Sequence, residues 1–196
     1  MKKLSLIGNV LESRDIVRRQ LLHLERTLTP ACELILVDDG SFPSLEETCD
    51  AVPKTFSFRL YCTKDRRPWT EPRARNIGAT LASAPKLLFF DIDHIVTPEI
   101  VTIALDYSGD KLHWVRRPGV LDANGRIVTD PQALKEYGLK DAEPSVHGNS
   151  FVIRKELFDR LGGYDERFCG RYGGYDLDFN GRYERLCREG IAQAAD

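Results

Sequence analysis

The stretch that most constrains this chain is an apolar run, Leu87–Phe90, that leads directly into Asp91, Ile92 and Asp93. A continuous apolar run is typical of a strand that is buried on both faces of a parallel sheet. Side chains alternate along a strand, so Asp91 and Asp93 are expected to point the same way. Two facing carboxylates repel each other unless a cation lies nearby, and hard divalent cations take oxygen ligands. The stretch therefore predicts a buried strand that ends at a candidate metal site. Two solvated aspartates are the simpler alternative.

The first half of the chain alternates strands with helices. Leu4–Val10 is a predicted strand, and Ser13 is expected to cap the helix that follows. Glu33–Val37 is a second strand that ends in Asp38 and Asp39. The other predicted elements before residue 95 are a helix opened by Leu45, a strand over Phe56–Cys62, a loop over 63–71 and a helix from Pro72 to about Ser83.

This alternation predicts an α/β fold with a mostly parallel central sheet flanked by helices. Ligands of such sheets bind beyond the carboxyl ends of the strands. Asp38 and Asp39 follow one predicted strand, and Asp91 and Asp93 follow another. We therefore expect these two acidic pairs to share one crevice.

The second half of the chain is less regular. Asn124–Gly125 predicts the turn of a hairpin over Val120–Val128. The other predicted elements are helices over Pro98–Tyr107, Pro131–Tyr137, Lys155–Leu161 and about Asp176–Glu189, strands over Leu112–Arg117 and Ser150–Arg154, and a loop over Ser145–Asn149.

Composition limits the classes of function. A chain of 196 residues is expected to form a single domain, and a net charge of −2 provides no electrostatic basis for binding nucleic acid. No apolar run reaches the length of a transmembrane segment. The five cysteines are odd in number and lack metal-ligand spacing, which favours reduced thiols and a cytoplasmic location.

Three motifs occur in order along the chain. They are Val37–Ser41; Ala74–Gly78 ahead of Phe89–Asp93; and Gly162–Phe168 followed by Gly173–Asp178. With these motifs the chain resembles nucleotide-sugar-dependent glycosyltransferases of the GT-A fold and of the family-two type, from about residue 4 to 185. The third motif resembles the carboxyl-terminal acceptor segment of galactosyltransferase-like enzymes. The resemblance implies a nucleotide-binding half over about residues 1–95 and an acceptor-side half over about 96–196.

The resemblance also implies the partners: a nucleotide-sugar donor, expected to be a UDP-sugar, a glycan or other hydroxyl acceptor, and a Mn²⁺ or Mg²⁺ ion that neutralises the diphosphate. Asp93 would bind the metal, with Asp91, His94 and His147 as further candidate ligands. The donor-binding candidates are Asn9, Asp38, Asp39, Arg73, Arg75, Asn76 and Asp91. A turn-forming role for Asp39 and a solvated helix face for Arg73 and Arg75 are the alternatives.

An inverting transferase needs a base that takes the proton of the acceptor hydroxyl. Relatives carry this acid in a Gly-Gly-Glu-Asp block. Here the block reads Gly173, Gly174, Tyr175 and Asp176, so Tyr175 occupies the glutamate position. Asp176 is the expected base and Asp178 the second candidate, whereas a helix-capping role is the alternative for Asp176.

Three other classes of protein share part of this motif pattern. A haloacid-dehalogenase-type phosphatase requires Thr where this chain has Ile95, and a sugar nucleotidyltransferase requires a glycine-rich phosphate loop after the first strand. Both are therefore disfavoured. The third is a catalytically degenerate GT-A domain that binds nucleotide sugar or glycan without turnover, and Tyr175 keeps it open. The sequence thus favours a metal-dependent, inverting glycosyltransferase over this alternative.

Overall fold

A computed structural model describes residues 1–65, 67–139 and 143–193, and it has three layers, with a central sheet between two layers of helices. The strands are β1 (Leu4–Val10), β2 (Cys32–Asp38), β3 (Ser57–Cys62), β4 (Lys86–Asp91), β5 (Lys111–Arg116), β6 (Val120–Leu121), β7 (Ile127–Val128) and β8 (Ser145–Arg154). The α-helices are α1 (Arg14–Thr27), α2 (Glu46–Asp50), α3 (Glu71–Leu81), α4 (Pro98–Asp106), α5 (Pro131–Glu136), α6 (Lys155–Arg160) and α7 (Tyr175–Arg188).

The main sheet has the strand order β3-β2-β1-β4-β8-β5. Strands β1 to β4 are parallel to one another, as predicted, whereas β8 is antiparallel to both β4 and β5. The carboxyl ends of β1, β2 and β4 therefore meet at one edge. Because Phe151 on β8 pairs with Phe89 on β4, the beginning of β8 reaches the same edge.

The alternation of side chains along the central strands divides the core in two. On β4, Leu88 and Phe90 pack in a cluster with residues of α1, α2 and α4. Leu87 and Phe89 belong to the opposite cluster, which includes residues of α3, α6 and α7. The apolar run at Leu87–Phe90 is thus buried on both faces, which is why its sequence does not alternate.

Two glycines permit close packing around α3. A Cβ atom on Gly78 would lie 2.4 Å from Cγ2 of Ile7, so only glycine lets α3 approach β1 this closely. Gly163 follows α6 with a φ of +66°, and a Cβ there would lie 2.6 Å from Oδ1 of Asn76. Close packing thus explains Gly78 in the second motif and Gly163 in the third.

Most predicted elements are present, with ends that differ by a few residues, and the predicted hairpin is formed by β6 and β7. The prediction of a loop over Ser145–Asn149 is wrong, because this polar segment pairs with β5 and continues β8. The prediction that Ser13 caps α1 is also wrong in detail. Ser13 is at the N-cap position, but its Oγ donates to the carbonyl of Leu11.

All five cysteines are described and none forms a disulfide, as predicted for reduced thiols. Among the helices of the described residues, none combines the length and the apolar character needed to cross a membrane.

Candidate active site

A cavity of about 660 Å³ opens at the carboxyl edge of the parallel strands. The ends of β1, β2 and β4, the beginning of β8 and the first turn of α7 all contribute to its wall. We call it the main cavity. Of the predicted site residues, it is lined by Asn9, Asp39, Asp91, Asp93, His147 and Asp176. The expected crevice therefore exists, although it contains only one aspartate of the first acidic pair.

The two aspartates after β2 have different roles. Asp38 is buried, and its carboxylate accepts hydrogen bonds from the backbone N–H groups of Ser41 and Leu45, both at 2.9 Å. Asp38 thus forms the turn and does not line the main cavity, which corrects its assignment to the donor site. The turn-forming role that was the alternative for Asp39 belongs to Asp38.

Asp39 lines the main cavity although it is only 4% exposed. Its Oδ2 accepts a hydrogen bond of 2.7 Å from Oγ1 of Thr70. Its Oδ1 and the Oδ1 of Asn9 are buried and have no hydrogen-bond partner among the described residues. Burial, opposed by the Thr70 bond and reinforced by Glu71 and other nearby acids, raises the pKa of Asp39 to about 6. This end of the cavity therefore presents acceptor atoms that a ligand N–H group would satisfy.

Asp91, at the end of β4, is paired with Arg75 on α3. The Arg75 guanidinium is fully buried, and it also donates to the backbone carbonyl of Asn149 at 3.3 Å. Burial lowers the pKa of Arg75, but the Asp91 carboxylate together with Tyr164 and Tyr175 outweighs it, so the net shift is upward. Arg75 does not line the main cavity. It orients Asp91, which corrects both its assignment to the diphosphate and the alternative of a solvated helix face.

The second oxygen of Asp91 faces a histidine from β8. Oδ2 of Asp91 lies 3.3 Å from Nδ1 of His147, which also accepts a hydrogen bond of 3.3 Å from the N–H of Asn149. Since that bond requires a lone pair on Nδ1, two lone pairs face each other. Either a proton or a bound cation relieves this repulsion. Asp93 lines the same cavity with a side chain that is 69% exposed.

His94 belongs to a possible metal-binding group with Asp91 and His147, because all three have ligand atoms within 4.8 Å of one another. Both of its ring nitrogens are nevertheless engaged. Arg116 donates to Nε2 at 2.6 Å, so Nδ1 carries the hydrogen that it donates to Oγ of Ser150, also at 2.6 Å. Burial lowers the pKa of His94 despite the nearby carboxylates. His94 would therefore have to give up its bond from Arg116 to bind a metal through Nε2, or its proton to bind one through Nδ1.

The first turn of α7 brings Asp176 to the wall of the main cavity. The N-cap residue of α7 is Gly174, so the alternative that Asp176 caps this helix is wrong. A Cβ atom on Gly148 would lie 3.0 Å from Oδ2 of Asp176, which shows how closely β8 passes this carboxylate. Tyr175, at the usual glutamate position, is buried and accepts a hydrogen bond of 2.9 Å from Nδ2 of Asn149.

Asp178 lies in a different place. It pairs with Arg182 at 2.8 Å and lines a second cavity of about 480 Å³. Successive helical residues are about 100° apart, so side chains two residues apart point to nearly opposite sides. Asp176 and Asp178 therefore do not share a cavity, and the geometry separates Asp178 from the other candidate site residues.

Asn76 also faces the second cavity. Its side chain makes three contacts with the turn after α6: Nδ2 donates to the carbonyl of Tyr164 at 2.9 Å and to Oε1 of Glu166 at 3.0 Å, and Oδ1 accepts from the N–H of Tyr164 at 2.8 Å. Asn76 thus holds the third motif against α3. Its assignment to donor binding is corrected to this structural role.

Arg73 is directed away from the main cavity as well. It pairs with Asp65 at 2.7 Å, and Asp65 also binds Arg67. Hydrogen bonds from Arg67, with the charges of both arginines, lower the pKa of Asp65. Arg73 and Arg75 are the arginines of the predicted donor set, and neither of them lines the main cavity.

Asn149 was not predicted as a site residue. It lines the main cavity, contacts Arg75, His147 and Tyr175, and has a buried Oδ1 without a hydrogen-bond partner among the described residues. The sequence predicts a loop for this polar segment and therefore gives no signal for Asn149 as a site residue. Only pairing of the segment with β5 places it at the site.

Two aromatic side chains, Trp69 and Tyr172, line the main cavity. Their ring centroids are 4.8 Å apart in an edge arrangement, and the residues are 44% and 81% exposed. Trp69 has a φ of +59°, a costly conformation for a bulky residue. The cavity thus has an apolar aromatic surface beside its acidic groups.

Comparison with known proteins adds independent evidence. The family described as Glycosyl transferase family 2 matches residues 9–162. Polypeptide N-acetylgalactosaminyltransferase 8 of Drosophila melanogaster is 30% identical over 200 residues, which cover 85% of this chain and 33% of that protein. The match to the family ends at the start of the Gly162–Phe168 segment, so the likeness of that segment to galactosyltransferases stays a prediction.

Solved structures show the same fold. S. aureus TarS 1-349 in complex with UDP-GlcNAc is 18% identical with a TM-score of 0.67, and the match covers 92% of this chain and 52% of that one. The mannosyltransferase PcManGT from Pyrobaculum calidifontis, in complex with GDP-Man and Mn²⁺, is 17% identical with a TM-score of 0.60, and the match covers 90% and 50%. This chain spans about half of these structures and a third of the curated relative. It has the GT-A fold and belongs to glycosyl transferase family 2.

Proposed function

We propose that this protein is a metal-dependent glycosyltransferase that moves a sugar from a nucleotide-diphosphate sugar to a hydroxyl acceptor. One observation carries the proposal. The main cavity combines a buried acceptor carboxylate at Asp39, the pair Asp91 and His147 of the candidate metal-binding group, and the lining acids Asp93 and Asp176. These are the groups that binding a nucleobase, neutralising a diphosphate and accepting a hydroxyl proton require.

The donor is expected to enter with its base at the end of the cavity near Asn9 and Asp39. The unpartnered Oδ1 of Asp39 is suited to the ring N–H of uracil, and this favours a UDP-sugar. Relatives of the same fold were solved with UDP-GlcNAc and with GDP-Man, so the nucleobase is a matter for measurement. The sugar and its acceptor are open.

The proposed cofactor is Mn²⁺ or Mg²⁺. The donor set fits such an ion, because Oδ2 of Asp91 faces Nδ1 of His147 and Asp93 offers a further, exposed carboxylate on the wall of the same cavity. When bound, the ion would neutralise the diphosphate leaving group as a Lewis acid. Arg75 supports this role by orienting Asp91 from behind.

Asp176 is proposed as the base that takes the proton of the acceptor hydroxyl. Its place on the cavity wall supports this role, and the pairing of Asp178 with Arg182 at the second cavity favours Asp176 over Asp178. Inversion at the anomeric carbon follows from a single displacement assisted by one such base. Trp69 and Tyr172 offer an apolar surface against which the acceptor sugar can pack.

The proposed division of the chain follows the same cavity. Residues of about 1–95 provide the base end and the Asp91 and Asp93 pair, and residues of about 96–196 provide His147, Tyr172 and Asp176. We propose that these form the nucleotide-binding and acceptor-side halves of a single domain. A cytoplasmic location, expected from the cysteines, remains a prediction.

One observation favours a second candidate function. Tyr175 takes the position of the usual glutamate, and its hydroxyl is bound to Asn149 within the wall. If Asp176 does not serve as the base, the domain would bind nucleotide sugar or glycan without turnover. Turnover therefore separates the two functions, whereas nucleotide binding does not.

The first test is calorimetric titration of the protein with UDP, with and without Mn²⁺, beside an Asp93→Ala variant. We expect Mn²⁺ to strengthen UDP binding in the wild type, and we expect the variant to lose most of that gain because it lacks an exposed metal-binding carboxylate. Asp178→Ala is the matched control, since it removes an acid that lies outside the main cavity.

A screen of UDP-sugars for release of UDP then distinguishes enzyme from binding module. If UDP, GDP and the cytidine and thymidine diphosphates all fail to bind, the transferase proposal is overturned and only the fold remains. Binding without turnover for every sugar tested would support the degenerate domain.

A further inference from the structure

The buried face of α1 carries an unexpected polar residue. Val17, Leu21 and Leu24 form its apolar stripe in the core, and Gln20 lies on the same side with only 2% of its surface exposed. A buried glutamine on an apolar stripe is uncommon unless its amide has a defined partner. Its partners are in the turn that carries Asp93.

The Gln20 amide contacts the backbone on both sides of Asp93. Nε2 donates to the carbonyl of Ile92 at 2.8 Å and to the carbonyl of His94 at 2.9 Å. Both partners are carbonyl oxygens and can only accept, so the nitrogen must face them and the orientation of the amide is determined. Both N–H groups of Gln20 are thereby used on the two residues next to Asp93.

This arrangement leaves the other end of the amide unsatisfied. Oε1 of Gln20 is buried and has no hydrogen-bond partner among the described residues. An unpaired buried oxygen lowers the stability of the folded state. An apolar side chain would avoid that cost at this position, but it would leave the Ile92 and His94 carbonyls without their donor.

Other contacts also hold this turn, among them the bonds of the His94 ring to Ser150 and Arg116, but those act on a side chain and not on the backbone beside Asp93. The N–H of His94 bonds to the carbonyl of Asp91 at 2.8 Å, and His23, one helical turn after Gln20, contacts the carbonyl of Val96 at 2.9 Å. The side chain of Asp93 is mostly exposed, so its direction depends on its backbone. Gln20 is the group that holds that backbone on both sides.

We propose that Gln20 is a positioning residue that presents Asp93 to the divalent cation of the main cavity. The inference rests on the proposed function, because it assigns Asp93 to that cation. Gln20 itself does not line the cavity and acts through the Ile92 and His94 carbonyls. Residues that orient metal ligands typically change metal affinity about 10- to 100-fold when they are replaced.

The test compares wild type, Gln20→Met and Leu21→Ala. Gln20→Met keeps the length of the side chain but removes the amide, whereas Leu21→Ala weakens the same helix at an apolar core position. Mn²⁺ affinity is measured by calorimetry in the presence of UDP, UDP affinity is measured without metal, and unfolding is followed by thermal denaturation.

We expect Gln20→Met to bind Mn²⁺ about 10-fold more weakly while its metal-free UDP affinity stays unchanged. Leu21→Ala is expected to lower the unfolding temperature without weakening Mn²⁺ binding. If the wild type binds Mn²⁺ and Gln20→Met binds it equally well, the inference about Gln20 is overturned and the proposed function is not affected. An equal loss of Mn²⁺ affinity in Leu21→Ala also overturns it, since general destabilisation would then explain the effect. A wild type that binds UDP but no Mn²⁺ overturns the inference together with the metal dependence of the proposed function.

Discussion

The main cavity and the second cavity are both lined by acidic and polar residues, but they differ in how those residues are satisfied. In the second cavity Asp165 is paired with Arg167, Asp178 with Arg182, and Asn76 with the turn at Tyr164. In the main cavity Asn9, Asp39 and Asn149 each have a buried amide or carboxylate oxygen without a partner among the described residues, and Asp93 is mostly exposed. The unpartnered buried atoms of the second cavity are of another kind, the hydroxyl of Tyr164 and one guanidinium nitrogen of Arg182.

This difference separates a structural site from a ligand site. Paired acids and amides hold elements together, and the second cavity joins α3, α7 and the turn after α6 in this way. Unpaired buried acceptors cost free energy in the absence of a ligand, and the three unpaired amide and carboxylate oxygens of the main cavity support the proposal that a ligand binds there. Motif resemblance did not distinguish the two cavities, because both contain motif residues.

The largest expected effect contrasts the two acids of α7. Asp176→Asn is expected to lower kcat about 10²- to 10⁴-fold, because an amide cannot accept the proton of the acceptor hydroxyl. Asp178→Asn is expected to retain kcat within a few-fold, since Asp178 lies in the second cavity. Steady-state rates with saturating donor and acceptor provide the comparison. Similar losses in both variants would contradict the assignment of the base to Asp176.

The second contrast uses two residues of α3. Arg75→Met is expected to lower the free energy of unfolding by roughly 2–4 kcal/mol, because it leaves Asp91 without its cationic partner. The side chain of Asp91 is 24% exposed, so the loss is expected to be smaller than for a fully buried pair. It is also expected to weaken Mn²⁺ binding, since Asp91 loses its orientation. Chemical denaturation and calorimetry measure the two effects.

Asn76→Ala is the control for this contrast. It is expected to lower stability by about 1–2 kcal/mol, because it removes hydrogen bonds to Tyr164, while Mn²⁺ affinity stays unchanged. If Asn76→Ala weakens Mn²⁺ binding as much as Arg75→Met does, the separation of the two cavities is wrong.

The third prediction concerns Asp39 and pH. Its pKa is raised to about 6 in the folded state from an ordinary value of 3.8. The folded state therefore binds the proton more tightly, and ionisation of Asp39 lowers stability as pH rises from about 4 to 6. Asp39→Asn avoids this cost. We expect it to be more stable than wild type by roughly 1–3 kcal/mol at pH 7 and nearly equal to it at pH 4.

The affinity for uridine is expected to rise with pH, whereas the stability of the folded protein falls. The ionised carboxylate accepts the base N–H, so the affinity for uridine should rise as pH increases through 6 and then level off. Uridine is the suitable probe, because a phosphate group would itself titrate near pH 6. Asp39→Asn should bind uridine more weakly and without this pH dependence. A pH-independent affinity in the wild type would contradict the role of Asp39.

Much of the fold could be predicted because it depends on local patterns. The apolar run at Leu87–Phe90 predicted a strand buried on both faces, and Asn124–Gly125 predicted the hairpin turn that joins β6 to β7. The prediction failed at Ser145–Asn149, where a polar segment continues β8 only because β5 pairs with it. Non-local pairing of this kind has no signature in the segment itself.

In the candidate site, too, some features follow from local sequence and others depend on packing. The sequence alone determined that acidic residues follow β2 and β4 and begin α7, because short periodic patterns mark the ends of strands and helices. Only the tertiary structure decided that Asp39 faces the cavity while Asp38 forms the turn, that Arg75 pairs with Asp91, and that Gln20 reaches the Ile92 and His94 carbonyls. The physical reason is that a side chain's role depends on which backbone and charged groups surround it, and folding brings those groups together across 7 to 74 residues of chain.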